Sequence, residues 1–302
     1  IRLGVCPGRR LPATDPDDRD LYLSLGAYAE SLMIAAANRG VPLAFATDVD
    51  LQANRAGWFT PADGVCTAAA DLHGLESRRT NRMRFGPCVL EAETLALLAE
   101  SLAGSARLVA LKGRDVSDLA TLAERDFFGS SGAVAEFRRW FRPGLIRRAA
   151  RDGLTASALG LSRAAATALW AATAPGIYPI LRRLGLPAML GGYAGRALAP
   201  DTAVLALVGS GTSPAERIER GRGLQRLWLK LAAWKLYVHP MSAILDCPET
   251  RAELGRRLRL ADRESVECIF RVGPAADPPV SPRMRPAIAL APPALRPSGE
   301  MR

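Results

Sequence analysis

The sequence predicts an α+β protein in which strands and helices alternate, with few strands among many helices. Three observations predict it. Only five runs read as strands: Ile1–Val5, Val41–Ala46, Ala106–Leu111, Thr202–Val208 and Val266–Val272. The segments between them carry apolar residues at helical rather than alternating spacing. The two halves also echo each other. Helix Arg19–Arg39 closes on Ala35-Ala36-Ala37-Asn38-Arg39-Gly40, and helix Ala215–Leu236 closes on Leu231-Ala232-Ala233-Trp234-Lys235-Leu236, which suggests a duplicated α+β unit.

Asp15-Pro16-Asp17-Asp18 reads as the first helix start, with Asp15 as cap, Pro16 at the first helical position and acids at the positive end of the dipole. Leu21, Leu25, Tyr28, Leu32 and Ala36 then recur at helical spacing, and Gly40 ends the run. Residues 47–74 carry weak helical and loop signals only. Leu90–Leu102, Val116–Phe128 and Ala133–Arg142 read as helices. The stretch 143–200 is rich in Ala, Gly and Pro without strand-like alternation, and reads as an inserted helical layer or lid. Thr202–Val208 is continuously apolar, as a buried strand should be. Ser213-Pro214-Ala215-Glu216 is a capping box with proline in the first turn, and the helix beyond it turns Leu224, Leu227, Trp228 and Leu231 toward a core. After Gly273 the prolines at 274, 278, 279, 282 and 286 predict an extended, irregular tail.

The 302 residues give ample core, and 49% hydrophobic content lies far from the disordered class. The formal charge of +10 invites a nucleic-acid reading, so its source matters. Only Lys112, Lys230 and Lys235 are lysines; the other basic residues are arginines scattered among Ala, Leu and Gly. That is a compositional bias rather than a basic face, and it argues against a nucleic-acid partner. Five cysteines, no CxxC and only His73 and His239 argue against a zinc site and for a reduced, cytoplasmic protein. The longest uncharged run, Ala164–Leu181, is rich in Ala and holds Pro175, Gly176 and Pro179, so a buried or lid helix is expected there, with no membrane span. The chain opens on Ile1 inside an apparent strand, which suggests that residues precede it.

Val208-Gly209-Ser210-Gly211-Thr212 sits where a phosphate loop would. Pro214 replaces the third glycine of a dinucleotide fingerprint, and the GK[ST] ending is missing, so a tight turn into a capped helix is expected. Arg78-Arg79-Thr80-Asn81-Arg82 places three guanidiniums and a hydroxyl within five residues, which suits either an anion or a solvated loop.

In its setting the cluster resembles the nitroreductase-like flavoprotein superfamily, whose Arg-x-Ser-x-Arg/Lys pattern and following aromatic match Arg78, Thr80, Arg82 and, one residue late, Phe85. Leu224–Pro240 resembles the family helix that ends before a flavin-facing loop, and Arg271-Val272-Gly273 its last core strand and glycine. Arg9-Arg10-Leu11-Pro12, Asp15-Pro16, Arg19 and Ser24-Leu25-Gly26-Ala27 resemble the first half of the Acg-like branch. The family's Asn-x-Gln-Pro-Trp-type segment has no counterpart in this sequence.

The resemblance implies a mixed or antiparallel sheet flanked by helices and two degenerate units fused in one chain. The first unit would be 1–74, and the second 75–302 with the lid at about 143–200. It implies FMN as cofactor, with its phosphate held by Arg78, Thr80 and Arg82 and closed over by Arg283 and Arg285. Pro240 and Met241 would lie along the ring, and the N–H of Ser242 or Ala243 would donate to flavin N5. NAD(P)H and a nitroaromatic, quinone or similar acceptor would be the partners, with no catalytic side chain required. A flavin store or regulator with little turnover is the alternative. The chain would be a monomer acting as a pseudo-dimer, or a homodimer.

Overall fold

The computed structural model describes residues 1–62, 72–144, 152–198 and 200–280. Its first elements are β1 (Arg2–Gly4), α1 (Arg19–Ala37), β2 (Leu43–Asp50), β3 (Arg55–Pro61), α2 (Leu72–Ser77) and α3 (Ala92–Ala99). Then come β4 (Arg107–Lys112), α4 (Ser117–Gly129), α5 (Ser131–Trp140), β5 (Phe141–Arg142) and β6 (Leu154–Thr155). The helices α6 (Arg163–Ala172), α7 (Tyr178–Arg183) and α8 (Leu186–Ala197) come next. The last elements among the described residues are β7 (Ala203–Ser210), α9 (Pro214–Ala233), β8 (Tyr237–Pro240), α10 (Ala243–Asp246), α11 (Pro248–Arg257) and β9 (Glu264–Gly273).

The class is α+β, as expected. An antiparallel four-stranded sheet runs β4-β7-β9-β8, and an antiparallel three-stranded sheet runs β1-β3-β2. β7 is continuously apolar because both of its faces are covered. Ala203, Leu205 and Leu207 pack with Leu224, Leu227 and Leu231 of α9. Val204, Ala206 and Val208 pack instead with α4, α10 and α11 through Leu119, Ile244 and Leu254. A bulge opposite Leu207 and Val208 lets Val266 and Ile269, three residues apart, share one face of β9.

Several local expectations need correction. The first helix starts at Arg19, not at Pro16; Asp15 caps it from outside, accepting the N–H groups of Asp20 and Leu21 at 3.1 and 2.9 Å. The helix expected over Ala133–Arg142 stops at Trp140. Phe141 and Arg142 leave as a short strand paired in parallel with Leu154 and Thr155, inside the stretch read as strand-free. Pro143 disfavours a helical Arg142, which explains the exit. The helix expected to reach Leu236 stops at Ala233; Lys235 turns at φ 58°, and Tyr237–Pro240 becomes the edge strand β8. β3 falls where no strand was placed. Gly57 and Pro61 mask its pattern, yet Gly57 is required, because a Cβ there would lie 2.4 Å from the Ala46 carbonyl and 2.6 Å from the Phe45 ring. Helix α11 was not anticipated either; Cys247 stands at its N-cap and gives no side-chain cap.

Helices α1 and α9 cross in near backbone contact. A Cβ on Gly26 would stand 1.9 Å from the Ile218 carbonyl oxygen, and one on Gly221 would stand 2.1 Å from that of Leu23. Gly26 and Gly221 are 195 positions apart, as are Leu23 and Ile218, so exchanging the helices maps one contact onto the other. Glu30 of α1 locks the crossing by accepting from Arg222 and Arg226 of α9 at 3.0 and 2.9 Å. Among the described residues no helix is long and apolar enough to cross a membrane.

Because backbone, not a flexible side chain, meets the added atom, Gly221→Ala should cost about 3 kcal/mol or more. Gly8→Ala, where nothing lies within 4 Å, should stay within about 0.5 kcal/mol of the parent in urea unfolding. Equal midpoints for the two variants would remove the close crossing.

Candidate functional site

The site forms where the Arg78–Arg82 loop meets the outer edge of β8. Thr80 makes a parallel bridge to Val238, and the Asn81 N–H donates to the Val238 carbonyl at 2.9 Å. Asn81 is fully buried and fixes the loop with its amide. Its Oδ1 accepts from the Met83 N–H at 2.9 Å, and its Nδ2 donates to the Ala276 carbonyl at 2.8 Å. The loop thereby runs alongside β8 and brings Arg82 close to His239.

Arg271 is the hub on which the neighbouring segments converge. It projects from β9, paired with His239 on β8. Its Nε donates to His239 Nδ1 at 3.1 Å, and its Nη1 to the Ala197 carbonyl at 3.2 Å. Its Nη2 donates to the carbonyls of Arg82 and Met83 at 3.3 and 3.1 Å, and the guanidinium lies 4.4 Å from the centre of the Phe85 ring. Among the described residues no carboxylate pairs with Arg271 or Arg82. Burial, with Arg82 nearby, lowers Arg271 to about 10, and burial lowers Arg82 as well. Burial, then the charges of Arg271 and Arg82, hold His239 well below its ordinary value, so it is neutral at pH 7. Because Nδ1 accepts from Arg271, the imidazole proton is assigned to Nε2, which makes His239 a donor rather than a base.

A cavity of about 340 Å³ opens beside this group. Pro240, Met241, Ser242 and Ala243 form one wall, Leu159, Gly160 and Leu161 another, and Tyr193, Ala194 and Ala197 of α8 a third. Met241 is pinned by its N–H to the Ile269 carbonyl at 2.8 Å. Ser242 and Ala243 begin α10, and among the described residues neither of their N–H groups donates a hydrogen bond. Asp246, at the other end of α10, binds Arg19 at 2.7 Å and ties this wall to α1.

Glu124 of α4 also lines the cavity. Burial raises its carboxyl to about 7, with no ion pair among the described residues to offset it. The cavity is therefore cationic where Arg82, Arg271 and His239 meet and carries a protonatable carboxyl on the α4 wall.

A second cleft, of about 220 Å³, adjoins the first and shares Arg82 with it. Arg78, Arg79, Thr80 and Met83 line one side, and Ser157, Ala158, Pro278 and Pro279 the other. Arg82 reaches the Ala158 carbonyl at 3.5 Å, and Arg79 caps the end of α2 by donating to Glu76 and Ser77. Arg78 lies 5.3 Å over the Trp228 ring, which itself packs edge-on against Phe270 at 5.9 Å. Arg78, Thr80 and Arg82 are thus brought together, as are Pro240 to Ala243, with Arg82 joining the two groups. Arg283 and Arg285 lie outside the described residues.

Sequence reasoning missed Asn81, Glu124 and the site role of Arg271. A detectable signal existed for the last: an arginine inside the apolar run Ile269-Phe270-Arg271-Val272 is a charge that needs a reason.

No family model and no curated protein matches the chain. It is similar to solved structures that are described as FMN-dependent or FMN-bound nitroreductases. The FMN- and NADPH-dependent nitroreductase NfnB of Sphigopyxis sp. strain HMH is 17% identical, with 70% of this chain and 94% of that one covered, at a TM-score of 0.44. A nitroreductase with bound FMN from Bacteroides fragilis is 13% identical, covering 73% and 98%, at 0.42. The FMN-dependent nitroreductase NfnB of Mycobacterium smegmatis in complex with NADPH is 18% identical, covering 70% and 89%, at 0.39.

Glu124 yields a pH test. Between its ordinary 4.5 and the value of about 7, the carboxyl is protonated in the fold and ionised in the unfolded chain. Its contribution is therefore complete at low pH and lost as pH rises through about 7. Glu124→Gln should then gain on the parent by up to about 3 kcal/mol more at about pH 8 than at about pH 4.5, read from urea unfolding at both pH values. An identical offset at both would place the carboxyl in solvent.

Proposed function

We propose that this chain is an FMN-dependent oxidoreductase of the nitroreductase type. The observation that carries the reading is the pair of adjoining cavities joined at Arg82. One is lined by Arg78, Arg79, Arg82 and Thr80, and the other by apolar residues together with Arg82, His239 and Arg271 as donors. A molecule with a phosphate at one end and a flat, partly polar ring system at the other matches both. The uncompensated charge of Arg82 and Arg271 favours an anionic guest, since burial disfavours the charged state of each.

Arg78, Thr80 and Arg82 hold the phosphate through charge-assisted hydrogen bonds in this reading. Arg283 and Arg285 belong to the same role by the sequence resemblance. Pro240 and Met241 flank the ring, and the N–H of Ser242 or Ala243 donates to the ring nitrogen where negative charge develops. His239 offers Nε2–H as a further donor, and Glu124 holds or releases a proton near neutral pH. When bound, FMN supplies hydride chemistry between NAD(P)H and a quinone, nitroaromatic or similar acceptor. The symmetric α1–α9 crossing supports reading the chain as two fused units, 1–74 and 75–302, acting as a pseudo-dimer within one chain.

One observation favours the alternative of a flavin store or regulator. Residues 153–197, within the stretch expected to form the lid, supply walls to both cavities, and Arg271 and Arg82 fasten it through the Ala197 and Ala158 carbonyls. A fastened cover restricts access to the ring face. Anaerobic addition of NAD(P)H to the flavin-loaded protein separates the two: bleaching indicates an enzyme, and an unchanged flavin spectrum a store.

FMN binding is tested first, by quenching of flavin fluorescence. Arg82→Ala should weaken it roughly 10- to 100-fold, the range for one charged hydrogen-bonding partner. Thr80→Ala should weaken it about 5-fold, and Glu124→Gln should leave it within about 3-fold. A parent protein that takes up no FMN would end the proposal.

A further inference from the structure

We propose that the outer face of the α7–α8 segment docks on an anionic lipid surface. Ile177, Ile180, Leu184, Met189 and Tyr193 are exposed by 46, 60, 76, 61 and 66%. They fall within seventeen positions, yet make up five of the fourteen exposed large apolar side chains among the described residues. Isolated exposed apolar residues are ordinary, whereas such a concentration marks an interaction surface.

Local packing explains why this face is left outward. Gly191 and Gly195 seat α8 on α4 so closely that a Cβ would lie 2.5 Å from the Thr121 carbonyl oxygen and 2.0 Å from Thr121 Oγ1. Met189 and Tyr193, four residues apart, stand on the other side of the helix and remain exposed. On α7, Tyr178 is buried and donates its hydroxyl to the Phe128 carbonyl at 2.7 Å. Ile177, Ile180 and Leu184 recur at helical spacing on the exposed side.

Charge selects the partner. From Gly153 to Pro200 the sequence has no aspartate or glutamate, and α7 and α8 carry Arg182, Arg183 and Arg196, all exposed. Arginines beside exposed Ile, Leu, Met and Tyr, free of acids, suit the interface of an anionic bilayer. Apolar tips enter the acyl boundary there while guanidiniums meet phosphate headgroups. A second copy of the chain fits less well, because two such faces would oppose arginines with no carboxylate of the segment to pair them. The uncharged run Ala164–Leu181 thus belongs to a segment that lies on a membrane rather than across it. Docking of this kind does not depend on the flavin reading.

The test is co-sedimentation of the full chain with vesicles of phosphatidylglycerol and phosphatidylcholine in about equal amounts, against phosphatidylcholine alone, at about physiological salt. The parent should prefer the anionic vesicles by about tenfold or more. Leu184→Glu combined with Met189→Glu should lose about tenfold of that binding. Arg256→Gln, which removes an exposed charge on α11, should change it less than about threefold. If the double variant fails to melt cooperatively, Leu184→Ser with Met189→Gln is read in its place. No preference for anionic vesicles overturns the proposal. So does equal binding by parent and double variant, which assigns the affinity to net charge alone. A concentration-dependent dimer abolished by the double variant, without vesicle binding, overturns it in favour of a second copy.

Discussion

A guanidinium buried in an apolar strand must be solvated by something, and the solution found for Arg271 shapes the whole site. With no carboxylate paired to it among the described residues, Arg271 is satisfied by neutral acceptors: three backbone carbonyls and one imidazole nitrogen. Those acceptors come from the end of α8, the Arg82–Met83 turn and β8, so one cation fastens three segments remote in sequence. A carboxylate in the same place would have neutralised the cavity. Carbonyl dipoles solvate the charge and leave its field standing, so that after burial itself the charges of Arg271 and Arg82 lower His239 further. The arrangement costs stability, because burial disfavours both guanidinium charges, and it leaves the cavity cationic.

The second constraint lies between helices. α1 and α9 can approach to backbone contact only because glycine stands at both crossing points, and the contacts are interchanged by a shift of 195 residues. A symmetric crossing between unlike sequences is hard to reach by chance, since each side must independently supply a small residue facing the other's carbonyl. The sheets built around the two helices differ, with three strands on one side and four on the other. The helix pair is symmetric where the strands are not. Glu30 adds an asymmetric lock by collecting two arginines of α9, and Asp246 carries the connection on from α1 to the wall of the cavity.

Much of this was legible in the sequence, for local reasons. β7 and β9 announced themselves through apolar runs, and the Ser213–Glu216 box fixed the start of α9, with the Ser213 N–H donating to Glu216 Oε2 at 2.9 Å. What escaped was set by tertiary contact. β3 is held by pairing on both sides, so its glycine and proline cost it little in the fold although they erase its pattern. Tyr237–Pro240 continues a helical run in sequence, but β9 captures it as an edge strand, where Pro240 is tolerated. Of the site, the Arg78–Arg82 and Pro240–Ala243 groups were visible as segments. Their junction through Arg82, and the roles of Asn81, Glu124 and Arg271, depend on contacts between residues as far as 195 positions apart, which no local pattern encodes.

The stretch that sequence reading treated as one lid serves two surfaces at once, and the physical requirements of the two do not conflict. On its inner side α8 must come close enough to α4 to wall the cavity, which demands small residues at Gly191 and Gly195 and a carbonyl at Ala197 for Arg271. Nothing on that side limits what the opposite face carries. A soluble surface would ordinarily spend it on charges of both signs. Here it carries exposed apolar groups and arginines without a single acid, a composition that helix formation does not explain, since glutamate is among the better helix formers. Tyr193 belongs to both surfaces, being two-thirds exposed and still part of the cavity wall.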